Sequence, residues 1–137
     1  MSETFTGHCL CGNVAFESSS EPVMQANCHC DDCRRAAGAA YVSYAFIPKE
    51  ALTITKGETA SYEHAADSGS VMVKRFCANC GSHLFGENSA NASRIGVRVG
   101  AIDDASWFQP QVNVFASSKI PSTPLDPNIK SFDKMPG

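Results

Sequence analysis

Three cysteines within six residues form the part of the chain whose side chains are best suited to chemistry. Cys28, Cys30 and Cys33 are followed at once by Arg34 and Arg35. Thiolates are good ligands for zinc, which prefers four ligands in a tetrahedron. Three protein ligands leave one coordination position for water, a substrate or an incoming thiol. The segment therefore predicts an open, catalytic zinc site, with Arg34 and Arg35 as candidates to bind a substrate carboxylate.

Four further cysteines form two pairs, each spaced as in a zinc-binding turn. Cys9 and Cys11 are one residue apart, and Cys77 and Cys80 are two residues apart. Two such pairs complete a tetrahedron, so ligand arithmetic favours a closed structural zinc site made of all four. In the rival division, a thiol of the three-cysteine segment completes a site with Cys77 and Cys80, which leaves one pair without a partner. Seven cysteines are an odd number for disulfides, and their clustering favours metal.

Composition and charge set limits on the class of protein. The chain has 137 residues, enough for one domain over residues 1–137, with 43% hydrophobic residues and a formal net charge of -3. That charge offers no basic surface for nucleic acid. No apolar run approaches the roughly 20 residues that span a bilayer, and the N-terminus lacks the pattern of a signal peptide. We therefore expect a cytoplasmic protein with neither nucleic acid nor membrane as partner.

Strands are predicted to position the thiols. Alternation over residues 23–28 predicts a strand that ends at Cys28. A short helix through Cys33 is expected next, capped by Asp31 or Asp32 and ended at Gly38. In the Cys9 to Cys11 turn, Leu10 is expected to face the core.

Farther along the chain, residues 52–55 and 60–63 are predicted to pair as a hairpin. Prolines at 121, 124, 127 and 136 argue against regular structure in the tail. Strands outnumber helices, so the expected fold is mainly antiparallel β, pinned by zinc, with one short helix after the three-cysteine segment.

The order of these motifs resembles one known family. The motifs are Gly7-x-Cys9-x-Cys11-Gly12, Cys28-His29-Cys30-x-x-Cys33-Arg34-Arg35 and Arg75-Phe76-Cys77-x-x-Cys80-Gly81. Together they resemble the glutathione-dependent formaldehyde-activating (GFA) family, which includes centromere protein V. The resemblance extends from about Gly7 to about Asp104.

Membership would imply a β-tent fold with two zinc ions. The resemblance places a structural zinc on Cys9, Cys11, Cys77 and Cys80, and a catalytic, more labile zinc on Cys28, Cys30 and Cys33. It also implies a carbon-sulfur lyase that adds glutathione to formaldehyde reversibly, so that the partners are a small thiol and an aldehyde. Two other functions are consistent with the residues, namely a non-enzymatic zinc or thiol-binding module and a redox sensor in which Cys28, Cys30 and Cys33 are oxidised.

Overall fold

Strands make up most of the regular structure in residues 4–135, the part of the chain that the computed structural model describes. The strands are β1 Phe5–His8, β2 Ala15–Ser18, β3 Met24–Cys28, β4 Val42–Pro48, β5 Leu52–Lys56, β6 Ala60–Ala65, β7 Val71–Phe76, β8 His83–Asn88, β9 Arg94–Arg98, β10 Val112–Val114 and β11 Lys130–Ser131. The α-helix of the described residues is α1 Asp31–Ala37, and 3₁₀ turns cover Lys49–Ala51, Ser89–Asn91, Val99–Ala101 and Ala116–Ser118. The predicted mainly β fold with a short helix after the three-cysteine segment is confirmed.

Some predictions concern residues beyond these limits. Residues 1–3 and 136–137 lie outside the described residues, and with them Pro136 and both ends of the domain predicted over 1–137. That domain stays a prediction. Within residues 4–135, no helix has the length and apolar character needed to cross a membrane.

The strands are arranged in two sheets. The small sheet has the order β1-β2-β5, and the large sheet has the order β11-β10-β3-β4-β9-β8-β7-β6. Neighbouring strands are antiparallel except for β10, which runs parallel to both β3 and β11. The antiparallel prediction therefore holds for both sheets except at this end of the large one. Alternation within a strand does not encode the direction of its partner, so these parallel pairs could not be predicted from the pattern of residues.

The hairpin predicted between residues 52–55 and 60–63 is wrong. Strand β5 pairs with β2 in the small sheet, whereas β6 pairs with β7 in the large one. Gly57 explains the change of sheet, because it adopts a positive φ of 76° and lies against the backbone of Asn13. A Cβ atom at this position would lie 2.0 Å from the Asn13 carbonyl oxygen. The turn therefore passes the chain from one sheet to the other.

The tail also contains more regular structure than its prolines predicted. Lys130 and Ser131 form β11, which pairs in parallel with Val112 and Asn113 of β10. The prediction failed because no proline occupies these two positions, so their backbone groups remain available to a neighbouring strand.

The large sheet is covered on both faces, and each face carries one group of cysteines. Toward the small sheet lies the main core, whose buried members include Phe16, Ile47, Phe85, Val97, Cys9 and Cys77. The Phe16 and Phe85 rings meet edge to face at 4.9 Å. The opposite face carries a second cluster made of Cys28, Cys33, Val42, Tyr44 and Val114. Strand β4 contributes to both, because alternate residues of a strand project to opposite faces.

Candidate metal centres and central groove

Four sulfurs from two turns meet beside the main core. Cys9 and Cys11 follow β1, and Cys77 and Cys80 follow β7; their sulfur atoms all lie within 4.8 Å of one another. The Cys9 and Cys11 sulfurs are 3.6 Å apart, and those of Cys11 and Cys77 are 3.7 Å apart. A tetrahedron with Zn–S bonds of about 2.3 Å has sulfurs about 3.8 Å apart. The geometry therefore fits a four-thiolate zinc site, which we call the four-thiol cluster.

The two turns of the four-thiol cluster differ in length by one residue, but a glycine closes each of them. The Gly12 N–H donates to the Cys9 carbonyl at 3.1 Å, and the Gly81 N–H donates to the Cys77 carbonyl at 2.8 Å. Both glycines have positive φ values, 79° and 78°, which favour glycine. Each turn thereby brings its two sulfurs to one side.

Hydrogen bonds to sulfur support thiolates in this cluster. The Val14 N–H donates to Cys9 Sγ at 3.3 Å. The Ser82 hydroxyl lies 3.2 Å from Cys80 Sγ. This contact, together with hydrogen bonds from the Ser82 and Cys11 backbone, lowers the pKa of Cys80 to about 5. Hydrogen bonds of this kind favour the charged form of the sulfur, which is the form that binds a metal.

The expectation that Leu10 faces the core is wrong. Its side chain is 87% exposed, and its N–H donates to the Ser82 hydroxyl at 3.1 Å. Because Cys9 and Cys11 direct their sulfurs to one point, the residue between them is turned outward.

Three sulfurs meet on the other face of the large sheet. Cys28 ends β3, while Cys30 and Cys33 lie at the start of α1, and their sulfur atoms are also within 4.8 Å of one another. We call this group the three-thiol cluster. The group that could hold a metal ion there contains no fourth His, Cys, Asp or Glu among the described residues. All seven cysteines of the chain are free thiols.

Helix α1 is capped by one of these thiols. Cys30 has an extended backbone, and its sulfur accepts a hydrogen bond from the Cys33 N–H at 3.2 Å. The predicted cap at Asp31 or Asp32 is wrong, because the helix begins at Asp31 and both residues lie inside its first turn. The predicted end at Gly38 is confirmed, since Gly38 is left-handed and its N–H donates to the Arg34 carbonyl at 2.8 Å.

The three thiols depend on one another for their charge. Contacts with Cys28 and Cys30 lower the pKa of Cys33, whereas contacts with Cys30 and Cys33 raise the pKa of Cys28. The Tyr44 hydroxyl, 3.6 Å from Cys33 Sγ, adds to the lowering at Cys33. Like charges this close cannot all form without a cation between them. Three sulfur donors in this arrangement therefore fit zinc.

The basic residues next to the three cysteines in sequence differ from one another in burial and contacts. Arg34 forms an ion pair with Asp31 at 2.5 Å, and Arg35 is exposed on α1. His29 is buried, with its ring 5.0 Å from that of Tyr41, and it belongs to neither sulfur cluster. Burial lowers the pKa of His29. Burial therefore favours the neutral ring.

A groove lies beside the three-thiol cluster. Two cavities of about 490 and 700 Å³ share Ser82, His83, Arg98 and Gly100, so we treat them as one central groove. One end is lined by Ala36, Ala37, Tyr41, Val42 and Ser43. The other end is lined by His8, Cys9, Leu10, Ala101, Ile102 and Asp103, so it reaches the four-thiol cluster at Cys9. Val42 pairs in register with Cys28, so the first end adjoins the three-thiol cluster. Neither Arg34 nor Arg35 lines the groove.

The arginine that does line the groove was missed by sequence reasoning. Arg98 lies on β9 and is only 5% exposed, with its guanidinium 4.9 Å above the Tyr44 ring. The available signal was a charged residue inside the apolar alternation of Ile95 to Val99. Lys74, inside Val71 to Phe76, gave the same signal and is also buried.

Comparison with known proteins adds the family. The family described as glutathione-dependent formaldehyde-activating enzyme matches residues 4–118. The chain belongs to this family. Its motif resemblance to GFA proteins is thereby confirmed, and both sulfur clusters lie inside the matched residues.

Individual relatives agree with this assignment. A Phaeosphaeria nodorum protein is 29% identical over 93% of this chain and 70% of its own length, and a Colletotrichum graminicola protein is 30% identical over 81% and 54%. A Penicillium rubens protein is 28% identical over 82% and 60%. All three carry glutathione-dependent formaldehyde-activating enzyme as a provisional name. The chain thus spans little more than half the length of two of these relatives.

A solved structure shares the fold. The crystal structure of a Rhodobacter sphaeroides protein matches with a TM-score of 0.59 and 18% identity, over 92% of this chain and 98% of that one. At this identity the match supports the arrangement of strands alone.

Proposed function

We propose that this GFA-family chain is a zinc-dependent carbon-sulfur lyase that joins a small thiol, glutathione or a similar molecule, to formaldehyde or another small aldehyde. The observation that carries the proposal is the three-thiol cluster, which offers zinc three sulfurs and lies beside a groove. A site of this kind keeps one position for a reactant. Each of the two cavities that form the groove is within the size range of small-molecule sites.

The two clusters have different roles in this proposal. Cys9, Cys11, Cys77 and Cys80 hold a structural zinc that joins the turns after β1 and β7. Cys28, Cys30 and Cys33 hold a catalytic zinc, which when bound supplies a positive charge that favours the thiolate form of a substrate and orients it. Cys30 also caps α1, so the helix fixes the relative positions of Cys30 and Cys33.

The reaction balances without an oxidant or a reductant. The thiol sulfur attacks the aldehyde carbon, a C–S bond forms, and the C=O π electrons pass to the oxygen. The proton lost by the thiol is taken up by that oxygen, which gives a hydroxymethyl thioether. The reverse reaction breaks the C–S bond and returns the aldehyde.

The groove supplies binding surface for the rest of the thiol. Ser43, Ser82 and the His83 ring present polar atoms along it, and Tyr41 and Val42 present apolar surface. Contact between a substrate carboxylate and Arg34 or Arg35 stays a prediction, and for Arg34 it requires release from Asp31. The cytoplasmic location stays a prediction as well.

Exchange NMR tests the activity. Labelled formaldehyde and glutathione interconvert slowly with their adduct, and zinc-loaded protein should increase the exchange rate in proportion to its concentration. Cys30→Ser should abolish the increase, because a hydroxyl replaces one of three soft ligands. Free zinc at matched concentration is the control.

Two outcomes would count against the lyase. If formaldehyde and glutathione exchange with their adduct at the uncatalysed rate while the protein still binds the thiol, the protein is a binding module. Zinc loss on peroxide treatment that reductant reverses, again without faster exchange, would leave a redox sensor.

A further inference from the structure

Two buried cations lie on the sheet face that carries the three-thiol cluster. Lys74 is 4% exposed and Arg98 is 5% exposed. The ion pairs found among residues 4–135 involve other cations, namely His8, Arg34, Lys49, His64 and Arg75. A buried cation without an anion is costly, by several kcal/mol in the general case. A negative charge close to these two side chains would therefore stabilise the folded protein.

The register of the large sheet brings these cations toward the sulfurs. Lys74 lies opposite Gly86, and Gly86 lies opposite Gly96, so the row across β7, β8 and β9 has two positions without side chains. The Tyr44 ring occupies part of that space, since a Cβ atom on Gly96 would lie 2.8 Å from it. Tyr44 then reaches Cys33 Sγ with its hydroxyl at 3.6 Å.

Arg98 occupies the next position on the same face. It lies opposite Tyr44 in register, and its guanidinium lies over the Tyr44 ring. Its Nε and Nη2 atoms are buried and have no hydrogen-bond partner among the described residues. The charges of both Arg98 and Lys74 act on His83 in the groove wall, and the charge of Lys74 also acts on Cys33. Arg98 thus lines the groove and lies over Tyr44, the residue that contacts Cys33, while Lys74 acts on Cys33 by its charge.

Charge balance distinguishes two kinds of fourth ligand. Three thiolates with one Zn²⁺ carry a net charge of minus one. If the fourth ligand is neutral, the metal centre balances only one of the two cations. If the fourth ligand is an anion, the centre carries minus two and balances both.

We propose that Lys74 and Arg98 are specificity-determining residues that make the three-thiol centre select an anionic fourth ligand, the thiolate of the substrate, over a neutral one. This inference rests on the proposed function, because it requires a metal on Cys28, Cys30 and Cys33. On binding, the thiol gives its proton to the buffer and its sulfur enters as the anion. Neither cation needs to touch the reacting carbon.

Cobalt provides the readout, because thiolate bound to Co²⁺ gives an absorption band in the near ultraviolet. The full chain loaded with two equivalents of Co²⁺ is titrated with 2-mercaptoethanol, a thiol without a carboxylate. The wild type should show a new band and release one proton per thiol bound. Lys74→Met and Arg98→Met should each bind the thiol at least tenfold more weakly while keeping both cobalt ions.

Matched variants separate charge from packing. Arg94→Met removes a cation from the same strand and face, where Arg94 lies 4.4 Å above the Phe46 ring, and it should leave thiol affinity within about threefold. Lys74→Arg and Arg98→Lys keep the charge and should restore most of the binding. If a methionine variant fails to fold, the corresponding glutamine variant replaces it against the same charge-keeping control.

The source of the negative charge is tested with a second ligand. S-methylglutathione keeps both carboxylates but has no free thiol. It should give no new band and should not compete with 2-mercaptoethanol. Competition that depends on Arg98 would mean that the cations bind a carboxylate, and the inference would then be wrong.

The remaining outcomes separate this inference from the proposed function. If the wild-type chain binds one cobalt ion and Cys30→Ser also binds one, both the inference about Lys74 and Arg98 and the lyase proposal are wrong. Two bound ions with equal thiol affinity in wild type, Lys74→Met and Arg98→Met would overturn the inference and leave the lyase proposal standing.

Discussion

At the scale of single residues, Cys30 combines two functions that substitution can separate. Its sulfur belongs to the three-thiol cluster, and the same sulfur accepts the Cys33 N–H as the cap of α1. Cys30→Ser should remove one zinc per chain but keep a capping oxygen, since serine is a favoured cap. Cys30→Ala should lose the zinc and also about 1 kcal/mol of stability from the cap. Zinc content and urea unfolding measure the two effects.

The matching substitution in the other cluster should be far more damaging. Cys77 is buried within the main core and belongs to the four-thiol cluster. We expect Cys77→Ser to prevent soluble expression, because it removes a ligand and places an unpaired hydroxyl in an apolar site. Equal loss of soluble protein from Cys30→Ser and Cys77→Ser would contradict the separate roles of the clusters.

Glu87 should make stability depend on pH in a predictable direction. Burial alone would raise the pKa of Glu87, but hydrogen bonds from Lys49 and Arg75, at 2.5 and 2.6 Å, outweigh it and lower the pKa. A lowered folded-state pKa means that the stabilisation is complete above the unfolded value and is lost as pH falls through the folded value. Glu87→Gln should therefore cost about 1 kcal/mol at pH 7.

The difference in unfolding free energy between Glu87→Gln and wild type should narrow below about pH 4.5, which is near the ordinary pKa of a glutamate. Urea midpoints of both proteins at several pH values provide the measurement. Glu87 belongs to neither sulfur cluster, so any loss of metal in acid should affect both proteins alike, and the difference between their midpoints isolates Glu87. A gap that stays constant down to the acid limit would contradict the assignment.

How far the sequence predicts individual residues depends on whether their role is local. The spacing of Cys28, Cys30 and Cys33 was enough to foresee that their sulfurs meet, because six residues cannot separate them far. Arg98 and Lys74 were missed, since their position beside the sulfurs follows from strand pairing between distant segments.

At the scale of elements, the turn between β5 and β6 depends on one glycine. Gly57 combines a positive φ with close contact to the Asn13 carbonyl. Gly69 has a positive φ of 88° but open space around its Cβ position. Gly69→Ala should therefore cost about 1 kcal/mol from backbone strain alone, and Gly57→Ala about 2 to 5 kcal/mol from strain plus displacement of the Asn13 backbone.

Thermal or urea unfolding of the two alanine variants provides the comparison. Gly69→Ala serves as the control for positive φ without a steric clash. Similar losses of stability in both variants would show that the close contact between Gly57 and Asn13 does not contribute to the cost of Gly57→Ala.

The same turn shows why elements were easier to predict than their partners. The positions of β5 and β6 were predicted correctly, because strand-forming residues and the turn between them follow one another in the sequence. Their pairing depends instead on whether the connecting turn folds back or crosses to another sheet. In this turn Gly57 packs against Asn13, which is distant in sequence. The parallel pairing of β10 with β3 is likewise a matter of distant segments.

At the scale of the whole molecule, the two clusters differ in how they connect the chain. The four-thiol cluster joins the turn after β1 to the turn after β7, and it adjoins the main core between the sheets. The three-thiol cluster joins only the end of β3 to the next helix on the outer face. Loss of metal from the first opens a long loop, whereas loss from the second leaves the sheets connected.

We therefore expect a chelator to remove two zinc ions in two separate steps. The first ion, from the three-thiol cluster, should leave without a change in circular dichroism. The second should leave together with unfolding, because a cross-link that closes a loop of this length contributes about 4 kcal/mol in the chain-entropy model. A zinc-sensitive dye and circular dichroism, recorded together during the titration, measure both steps. In Cys30→Ser the first step should be missing and the second unchanged; release of both ions in one step, coincident with unfolding, would contradict the division of structural and catalytic roles.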